Sequence, residues 1–233
     1  MVTGRVEASF GGPAGAGGAD ELSSGLAERL RSETRSLHHA VERQGVMGQL
    51  LRGGVELPLY CRLLRNLHAI YAALEPVLAR QSGDPCVRRV YAPELQRAPA
   101  LAADLDELDE PGWRELPLAN ATTQYVQRLQ DIDAEGSRAV IAHAYVRYLG
   151  DLAGGQVLRR LVAARFGLAG GRGTRFYEFG PAEVVGGLLR SFREGLDHMP
   201  VSAADIELIV AEACSAFRRH GDLFDQLMVP TPG

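Results

Sequence analysis

The sequence predicts an all-α fold, with roughly seven or eight helices in a single domain. Apolar residues recur every three to four positions along most of the 233-residue chain, which places them on one face of a helix. Strict alternation of apolar and polar residues, the pattern of a half-buried strand, is nearly absent. With 46% hydrophobic and 23% charged residues, the composition is that of a globular protein with one large core.

The spacing of apolar residues predicts the helices in chain order. The first covers about residues 23–44, and its apolar face carries Leu30, Leu37 and Val41. Prolines between residues 85 and 117 then indicate short helices and turns after a long second helix. The remaining boundaries are 57–81 for the second helix, 122–132, 137–166, 181–198 and 202–227 for the later ones, and 167–180 for a glycine-rich loop. Ser202 is the expected N-cap of the last helix.

The two ends of the chain differ from the predicted domain, which covers residues 21–229. Residues 1–20 contain six glycines and no apolar segment of the signal-peptide type, so we expect a disordered leader. Residues 230–233 form a short tail.

Charge and hydropathy exclude two classes of partner. The net charge of −4 provides no basic surface for nucleic acid or for an anionic membrane. No apolar run approaches the ~18 residues that span a bilayer. The three cysteines are far apart, which indicates a reducing, cytoplasmic location, and we expect a monomer.

Three glycines interrupt the predicted helix 137–166, at Gly150, Gly154 and Gly155. Relative to alanine they cost roughly 3 kcal/mol of helix stability, so another requirement must favour them. Gly150 and Gly154 are four residues apart and open the same helix face. They allow either a close helix crossing or a bare backbone against a flat ligand, and they also permit a kink.

Asp151 lies between these glycines in an otherwise apolar stretch. A buried carboxylate needs a hydrogen-bonding partner. One interpretation is an ion pair with Arg147, one turn earlier; the other is a group that handles a proton or water beside a ligand.

The first helix carries a second set of candidates. His38 lies on a stripe of small side chains next to the apolar face, whereas His39 shares the solvated face, so geometry selects His38 as the candidate ligand. Glu42, four residues later, is placed to orient the His38 ring. Arg31 and Arg35 suit carboxylates on the edge of a ligand. Of the weaker histidines, which are His68, His143, His198 and His220, the last is the one expected to reach a buried site.

Two segments together resemble the heme oxygenase family. The segment 147–156, Arg-Tyr-Leu-Gly-Asp-Leu-Ala-Gly-Gly-Gln, is similar to the distal helix of that family, and 34–42, Thr-Arg-Ser-Leu-His-His-Ala-Val-Glu, is similar to its proximal helix. Similarity extends through 67–75 and 125–129 to Phe217 and Phe224. The resemblance covers about residues 22–227.

The resemblance implies that heme b lies between the first helix and a kinked distal helix, as both substrate and cofactor. His38 would be the axial iron ligand, with Glu42 as its hydrogen-bonding partner. Gly150 and Gly154 would approach the porphyrin. The implied reaction uses dioxygen and an external electron donor, a ferredoxin or flavoprotein reductase, to convert heme to biliverdin, carbon monoxide and ferrous iron.

The resemblance also implies roles for other side chains. In the family, the residue at the place of Asp151 holds water that supplies a proton. The positions matching that water network are Tyr71, Tyr125 and Arg147, and those matching contacts to the heme propionates are Arg31, Arg35, Tyr145 and Arg190. Two departures are Gly186, where many relatives have a basic residue, so that Arg193 is expected to contribute, and His220, where an asparagine is common.

Two other functions fit the same residues. The first is a heme sensor or carrier on this fold that does not turn over, against which Asp151 and Arg147 argue. The second is a heme-free helical adaptor whose glycines serve packing alone.

Overall fold

The computed structural model describes residues 25–108 and 112–229. The predicted leader, residues 1–20, and the tail, residues 230–233, lie outside these described residues. Every regular element within them is helical, which confirms the all-α prediction. None of the described helices combines the length and apolar character needed to cross a bilayer.

Nine α-helices lie within the described residues: α1 (Leu26–Val41), α2 (Gly45–Leu51), α3 (Leu57–Arg80), α4 (Ala98–Glu107), α5 (Asn120–Glu135), α6 (Val140–Ala144), α7 (Gly150–Phe166), α8 (Ala182–Asp197) and α9 (Ala203–Gln226). A π-helical turn, Tyr145–Leu149, joins α6 to α7. A single 3₁₀ turn, Arg175–Tyr177, interrupts the loop before α8.

Helix α3 is the centre of the core. It packs against α4, α5 and α6. Its fully buried side chains include Leu63, Leu64, Ile70 and Leu74. The buried face also carries the phenol of Tyr71, which brings a polar group into the interior.

The first predicted helix ends earlier than expected. Helix α1 stops at Val41, and α2 begins at Gly45 rather than the first helix continuing to residue 44. Gly45 has a φ of +40°, and a Cβ there would lie 2.0 Å from the carbonyl oxygen of Phe224. The chain turns here because it must pass close to the α9 backbone, a contact that helical spacing cannot reveal.

The predicted helix 137–166 is one helical rod, but it is not regular. It begins at Val140, and its hydrogen bonding widens to the π pattern over Tyr145–Leu149, directly before the first glycine of α7. Such π turns are rare and concentrate at functional sites. The irregularity that the glycines predicted therefore lies just N-terminal to them.

Helix α9 packs against helices from both the N-terminal and the central part of the described chain. It packs against α1, α2, α5 and α6 and against the π turn. Its N-terminus is capped by Ser202, whose Oγ accepts the backbone N–H of Asp205 at 3.1 Å, while the Asp205 carboxylate accepts the backbone N–H of Ser202 at 3.0 Å. The predicted N-cap is thus confirmed as half of a reciprocal capping box.

Candidate functional site

A buried carboxylate with two partners lies at the start of α7. Asp151 accepts hydrogen bonds from the Tyr71 hydroxyl and, at 2.9 Å, from Nη2 of Arg147. The Arg147 Nε also donates to the Tyr71 oxygen, at 3.2 Å. Each of the three residues is less than 10% exposed. The ion pair proposed from the i,i+4 spacing is present, and α3 supplies a third member that spacing along α7 could not identify.

Burial moves the pKa values of this pair in opposite directions. Desolvation raises the pKa of Asp151 well above its ordinary value and lowers that of Arg147 to about 10. Arg147 stays cationic at neutral pH and, with Tyr71, favours the ionised carboxylate against the burial penalty. Asp151 is therefore a carboxyl group that holds a proton more readily than an exposed aspartate does.

The glycines of α7 divide into two kinds. Among the described residues, no atom lies within 4 Å of a Cβ built on Gly150 or on Gly154. These two glycines therefore do not serve a helix crossing, and they leave a bare stretch of backbone. A Cβ on Gly155 would lie 3.6 Å from the carbonyl oxygen of Tyr177, so this third glycine packs against the 3₁₀ turn.

Like its neighbour His39, whose side chain is 52% exposed, His38 is accessible on α1. Its side chain is 46% exposed, and its Nδ1 lies 3.6 Å from a carboxylate oxygen of Glu42. The other oxygen of Glu42 lies 3.4 Å from Nδ1 of His39, so this carboxylate serves both rings rather than His38 alone. The ligand atoms of His38, His39 and Glu42 all lie within 4.8 Å of one another and are able to hold a metal ion.

His143 is not available as a ligand. Its side chain is fully buried, its Nδ1 lies 2.9 Å from the Tyr125 hydroxyl, and its Nε2 lies 3.1 Å from the Glu212 carboxylate. Glu212 also accepts hydrogen bonds from Arg128, the closest at 2.8 Å. Burial opposes ionisation of Glu212, but hydrogen bonds from His143 and Arg128 outweigh it and lower its pKa to about 2.

One turn of α9 touches both the His38 side and the Asp151 side. The ring of Phe217 lies edge-on to the His38 ring, with centroids 5.7 Å apart. His220, three residues later, has its Nε2 3.1 Å from Nη1 of Arg147. Phe224 is buried behind it, with its ring centroid 6.0 Å from that of His220.

Two arginines, Arg31 and Arg193, lie near the Tyr145 hydroxyl. This hydroxyl lies 3.3 Å from Oγ1 of Thr34 and so links the π turn to α1. Burial raises the pKa of Tyr145, while Arg193 and Arg31 lie near enough to oppose that rise. Arg31 itself pairs with Glu28 through two hydrogen bonds of 2.7 Å. The two remaining predicted cations, Arg35 and Arg190, are exposed.

The predicted site residues therefore lie in three neighbouring groups, one around Asp151, one around His38 and one around Tyr145. Tyr71, Arg147 and Asp151 are in direct contact, whereas Tyr125 hydrogen-bonds to His143 and meets the group through its ring, which lies edge-on to His220 at 5.0 Å. Sequence reasoning missed the role of Glu212. A carboxylate between the buried Val210 and Ala213 is the same signal that drew attention to Asp151.

Comparison with known proteins gives a consistent result. The family model described as "Heme oxygenase" matches residues 24–226. The chain is 35% identical over 207 residues to heme oxygenase 1 of Nostoc sp., covering 88% of this chain and 87% of that protein. The crystal structure of heme oxygenase-1 from Synechocystis sp. in complex with heme aligns with a TM-score of 0.82 at 34% identity, covering 88% and 92% of the two chains. The heme oxygenase structure from Leptospira interrogans aligns with a TM-score of 0.82 at 32% identity, covering 87% and 99%.

Proposed function

Because this chain belongs to the heme oxygenase family, we propose that it oxidatively cleaves heme to biliverdin, carbon monoxide and ferrous iron, with dioxygen and an external electron donor. Heme would be both cofactor and substrate, and when bound it supplies the iron at which dioxygen is activated.

One observation carries this proposal. The accessible imidazole of His38 lies on one side of a turn of α9, and the glycine-bearing start of α7 lies on the other side. Phe217 contacts His38, and His220 contacts Arg147 beside the glycine-bearing start of α7. The open space over Gly150 and Gly154 fits a planar macrocycle, because no side chain projects from that face. A side chain that bound the iron on the side of Asp151 would block the dioxygen site. The described hydrogen-bonding partners of Asp151 are Tyr71 and Arg147.

His38 is the residue that would hold the iron of heme. Its exposed ring is the accessible alternative to His143, whose two nitrogens are already hydrogen-bonded. Glu42 would orient the ring through Nδ1, as second partners of histidine ligands commonly do. Phe217 would pack against its edge and Phe224 would support the wall behind His220.

We assign proton supply to Asp151. Its carboxyl group has a raised pKa and is held by Arg147 and Tyr71, so it would orient water and deliver a proton on the side of Gly150 and Gly154. Tyr125 would support this group from behind, through the edge of the His220 ring.

The cations around Tyr145 suit the two carboxylates of heme. Arg31 and Arg193 lie near the Tyr145 hydroxyl, and Arg35 and Arg190 are exposed and free to reorient. Arg31 would exchange its partner, Glu28, for a propionate. Arg193 would replace the basic residue that Gly186 does not provide.

A ferredoxin or a flavoprotein reductase would supply the electrons. We also propose a cytoplasmic location, because the three cysteines are odd in number and include no CxxC pair. We propose that the chain is a monomer.

The decisive experiment is reconstitution of the full chain with heme, followed by addition of reductant and dioxygen. We expect one heme per chain and a bile pigment as product, followed by absorbance and identified by chromatography. A heme complex that is stable under these conditions would instead favour the sensor or carrier function. Absence of a shift of the Soret band when heme is titrated into the chain would favour the heme-free adaptor.

Two substitutions test the residue assignments. His38→Ala should remove the axial ligand and change the spectrum of the ferric complex, whereas His39→Ala, which alters the exposed neighbouring ring, should leave it unchanged. Asp151→Asn keeps the size of the side chain but replaces the titratable carboxyl group by an amide, which cannot supply a proton. It should lower the rate of biliverdin formation by about 10²-fold or more. Unchanged turnover of Asp151→Asn would contradict the role of that carboxyl group.

A further inference from the structure

Helix α9 carries a buried histidine whose protonation state the structure defines. His220 is 2% exposed. Its Nδ1 lies 2.8 Å from the carbonyl oxygen of Ala216, which can only accept, so Nδ1 carries the hydrogen. Its Nε2 lies 3.1 Å from Nη1 of Arg147, which can only donate, so Nε2 is the acceptor. Both contacts are satisfied together by the neutral ring in its Nδ1–H form.

The surroundings of His220 favour that neutral form. The π turn brings the Arg147 guanidinium against it, α6 brings His143, and α5 brings the ring of Tyr125 at 5.0 Å, while Phe224 follows on α9 itself. Burial, reinforced by the charge of Arg147 and opposed by the Ala216 carbonyl, lowers the pKa of His220 well below its ordinary value. No carboxylate is among the described groups in contact with its ring, so nothing there compensates a second positive charge.

The contact with His220 completes the hydrogen bonding of Arg147. Nη2 of the guanidinium donates to Asp151 at 2.9 Å, and Nε donates to Tyr71 at 3.2 Å. Nη1 donates to His220, so the three nitrogens are held from three different helical segments. A planar group fixed at three points cannot rotate without breaking one of these bonds, and each broken bond would leave a buried donor unpaired.

We propose that His220 is a positioning residue: its neutral Nε2 holds the Arg147 guanidinium and, through it, the carboxyl group of Asp151. This inference rests on the proposed function and adds to it the residue that keeps the proton-handling group in register. His220 touches neither Asp151 nor the bare face of α7 directly.

Substitutions at this position separate the acceptor from the shape of the ring. In His→Gln, Oε1 is three bonds from Cβ, as Nε2 is, so it can accept from Arg147. In His→Asn, the oxygen is one bond closer to the backbone, and in His→Phe the ring is kept but the acceptor is lost. The exposed His198, which hydrogen-bonds to the carbonyl oxygen of Glu194, provides a matched control as His198→Gln.

The first measurement uses the heme-free full chain. Long-range ¹H–¹⁵N NMR of the histidine rings should show His220 neutral, with hydrogen on Nδ1, between about pH 6 and 8. A charged ring, or hydrogen on Nε2, would overturn the proposal without reference to activity, because either form has no lone pair for Arg147.

The second measurement uses the heme complex of each variant. We expect His220→Phe to lower biliverdin formation by about tenfold or more and to shift the midpoint pH of the acid-to-alkaline spectral change of the ferric complex. His220→Gln should stay within about threefold of the unsubstituted protein, with His220→Asn between them and His198→Gln unchanged.

The outcomes distinguish the two proposals. If the unsubstituted chain binds heme but forms no biliverdin, the proposed function fails, while the spectral shift still tests the positioning of Arg147. If the unsubstituted chain turns over and His220→Phe matches it in both rate and spectral midpoint, the positioning role is wrong. Should His220→Phe fail to fold, the comparison of Gln with Asn and the ring NMR still decide.

Discussion

At the residue scale, two buried carboxylates, Asp151 and Glu212, are each satisfied by hydrogen bonds from charged or polar neighbours. Asp151 and Arg147 pair with each other and with Tyr71, and Glu212 pairs with Arg128 and His143. The two carboxylates nevertheless differ in pKa. Two strong donors outweigh burial at Glu212 and lower its value, whereas burial dominates at Asp151 and raises it. The first suits a structural anchor, and the second suits proton transfer.

Glu212 should make a pH-dependent contribution to stability. Its pKa is about 2 in the folded chain and ordinary in the unfolded chain, so the contribution is present above about pH 4.5 and is lost as the pH falls towards 2. Glu212→Gln should lower the free energy of unfolding by about 3 kcal/mol at pH 7, and the difference should shrink on acidification. Denaturant unfolding at several pH values measures this.

The matched control is Glu207→Gln. Glu207 also pairs with an arginine, Arg29, but its side chain is 64% exposed, so its contribution should be below about 1 kcal/mol. Equal effects of the two substitutions at pH 7 would show that burial of Glu212 does not strengthen its ion pairs.

At the element scale, the 3₁₀ turn Arg175–Tyr177 packs against the start of α7. Asp104 on α4 accepts the backbone N–H groups of Arg175 and Phe176, each at 2.8 Å. The turn then presents Tyr177 to Gly155 and the ring of Phe176 to Tyr71, with centroids 5.8 Å apart. Asp104 thus stabilises α7 indirectly, by holding the 3₁₀ turn that packs against it.

Asp104→Asn should destabilise the fold. An amide has one acceptor oxygen where the carboxylate has two, so one buried N–H of the turn loses its partner, at a cost of about 1–3 kcal/mol. Thermal unfolding measures the effect, with the exposed Asp106→Asn as control. Because burial raises the pKa of Asp104 to about 6, the folded chain takes up a proton there and gains stability as the pH falls below about 6. The asparagine cannot do so, and the difference between the two chains should therefore become larger below that pH. An effect independent of pH between 5 and 8 would contradict this assignment.

The bare face of α7 allows stability and ligand binding to be separated. Gly154→Ala should stabilise the heme-free fold by up to about 1 kcal/mol, because the new Cβ meets open space and alanine favours the helix. Gly154→Leu should also fold, but its side chain would occupy the face assigned to heme. Heme titration should therefore show a weaker complex for Leu than for Ala, and equal affinities would exclude this face as the binding surface.

At the scale of the whole molecule, α9 is the element on which α1 and the π turn are both assembled. Phe217 and His220 transmit its position to His38 on one side and to Arg147 on the other. A ligand held between these sides would therefore add contacts between parts of the chain that otherwise meet mainly through α9.

Heme should stabilise the molecule by linkage. A ligand that binds only the folded state adds about 2.7 kcal/mol at a free concentration 100 times its Kd. We expect the melting temperature to rise with heme up to one equivalent, and hydrogen exchange in α1 to slow. His38→Ala should reduce both effects and His39→Ala should not; protection confined to segments outside α1 and α7 would place heme elsewhere.

Helices and local pairs could be predicted from the sequence because both depend on spacing within one element. The apolar stripe of α3 predicted residues 57–81, and the structure has Leu57–Arg80. An ion pair with Arg147 was one of two interpretations of Asp151 that the i,i+4 spacing allowed, and the pair is present. The end of α1 could not be predicted, because Gly45 there passes close to the backbone of Phe224, a residue distant in sequence.

By itself, the sequence determined the helical class, the family resemblance and which side chains share a helix face, since these follow from local order. Tertiary structure alone decided that Tyr71 and His220 meet Arg147, that Glu212 pairs with both His143 and Arg128, and that Gly150 and Gly154 face open space. The physical reason is that helical periodicity defines neighbours only within about one turn, whereas burial and contacts across the chain depend on how whole helices pack.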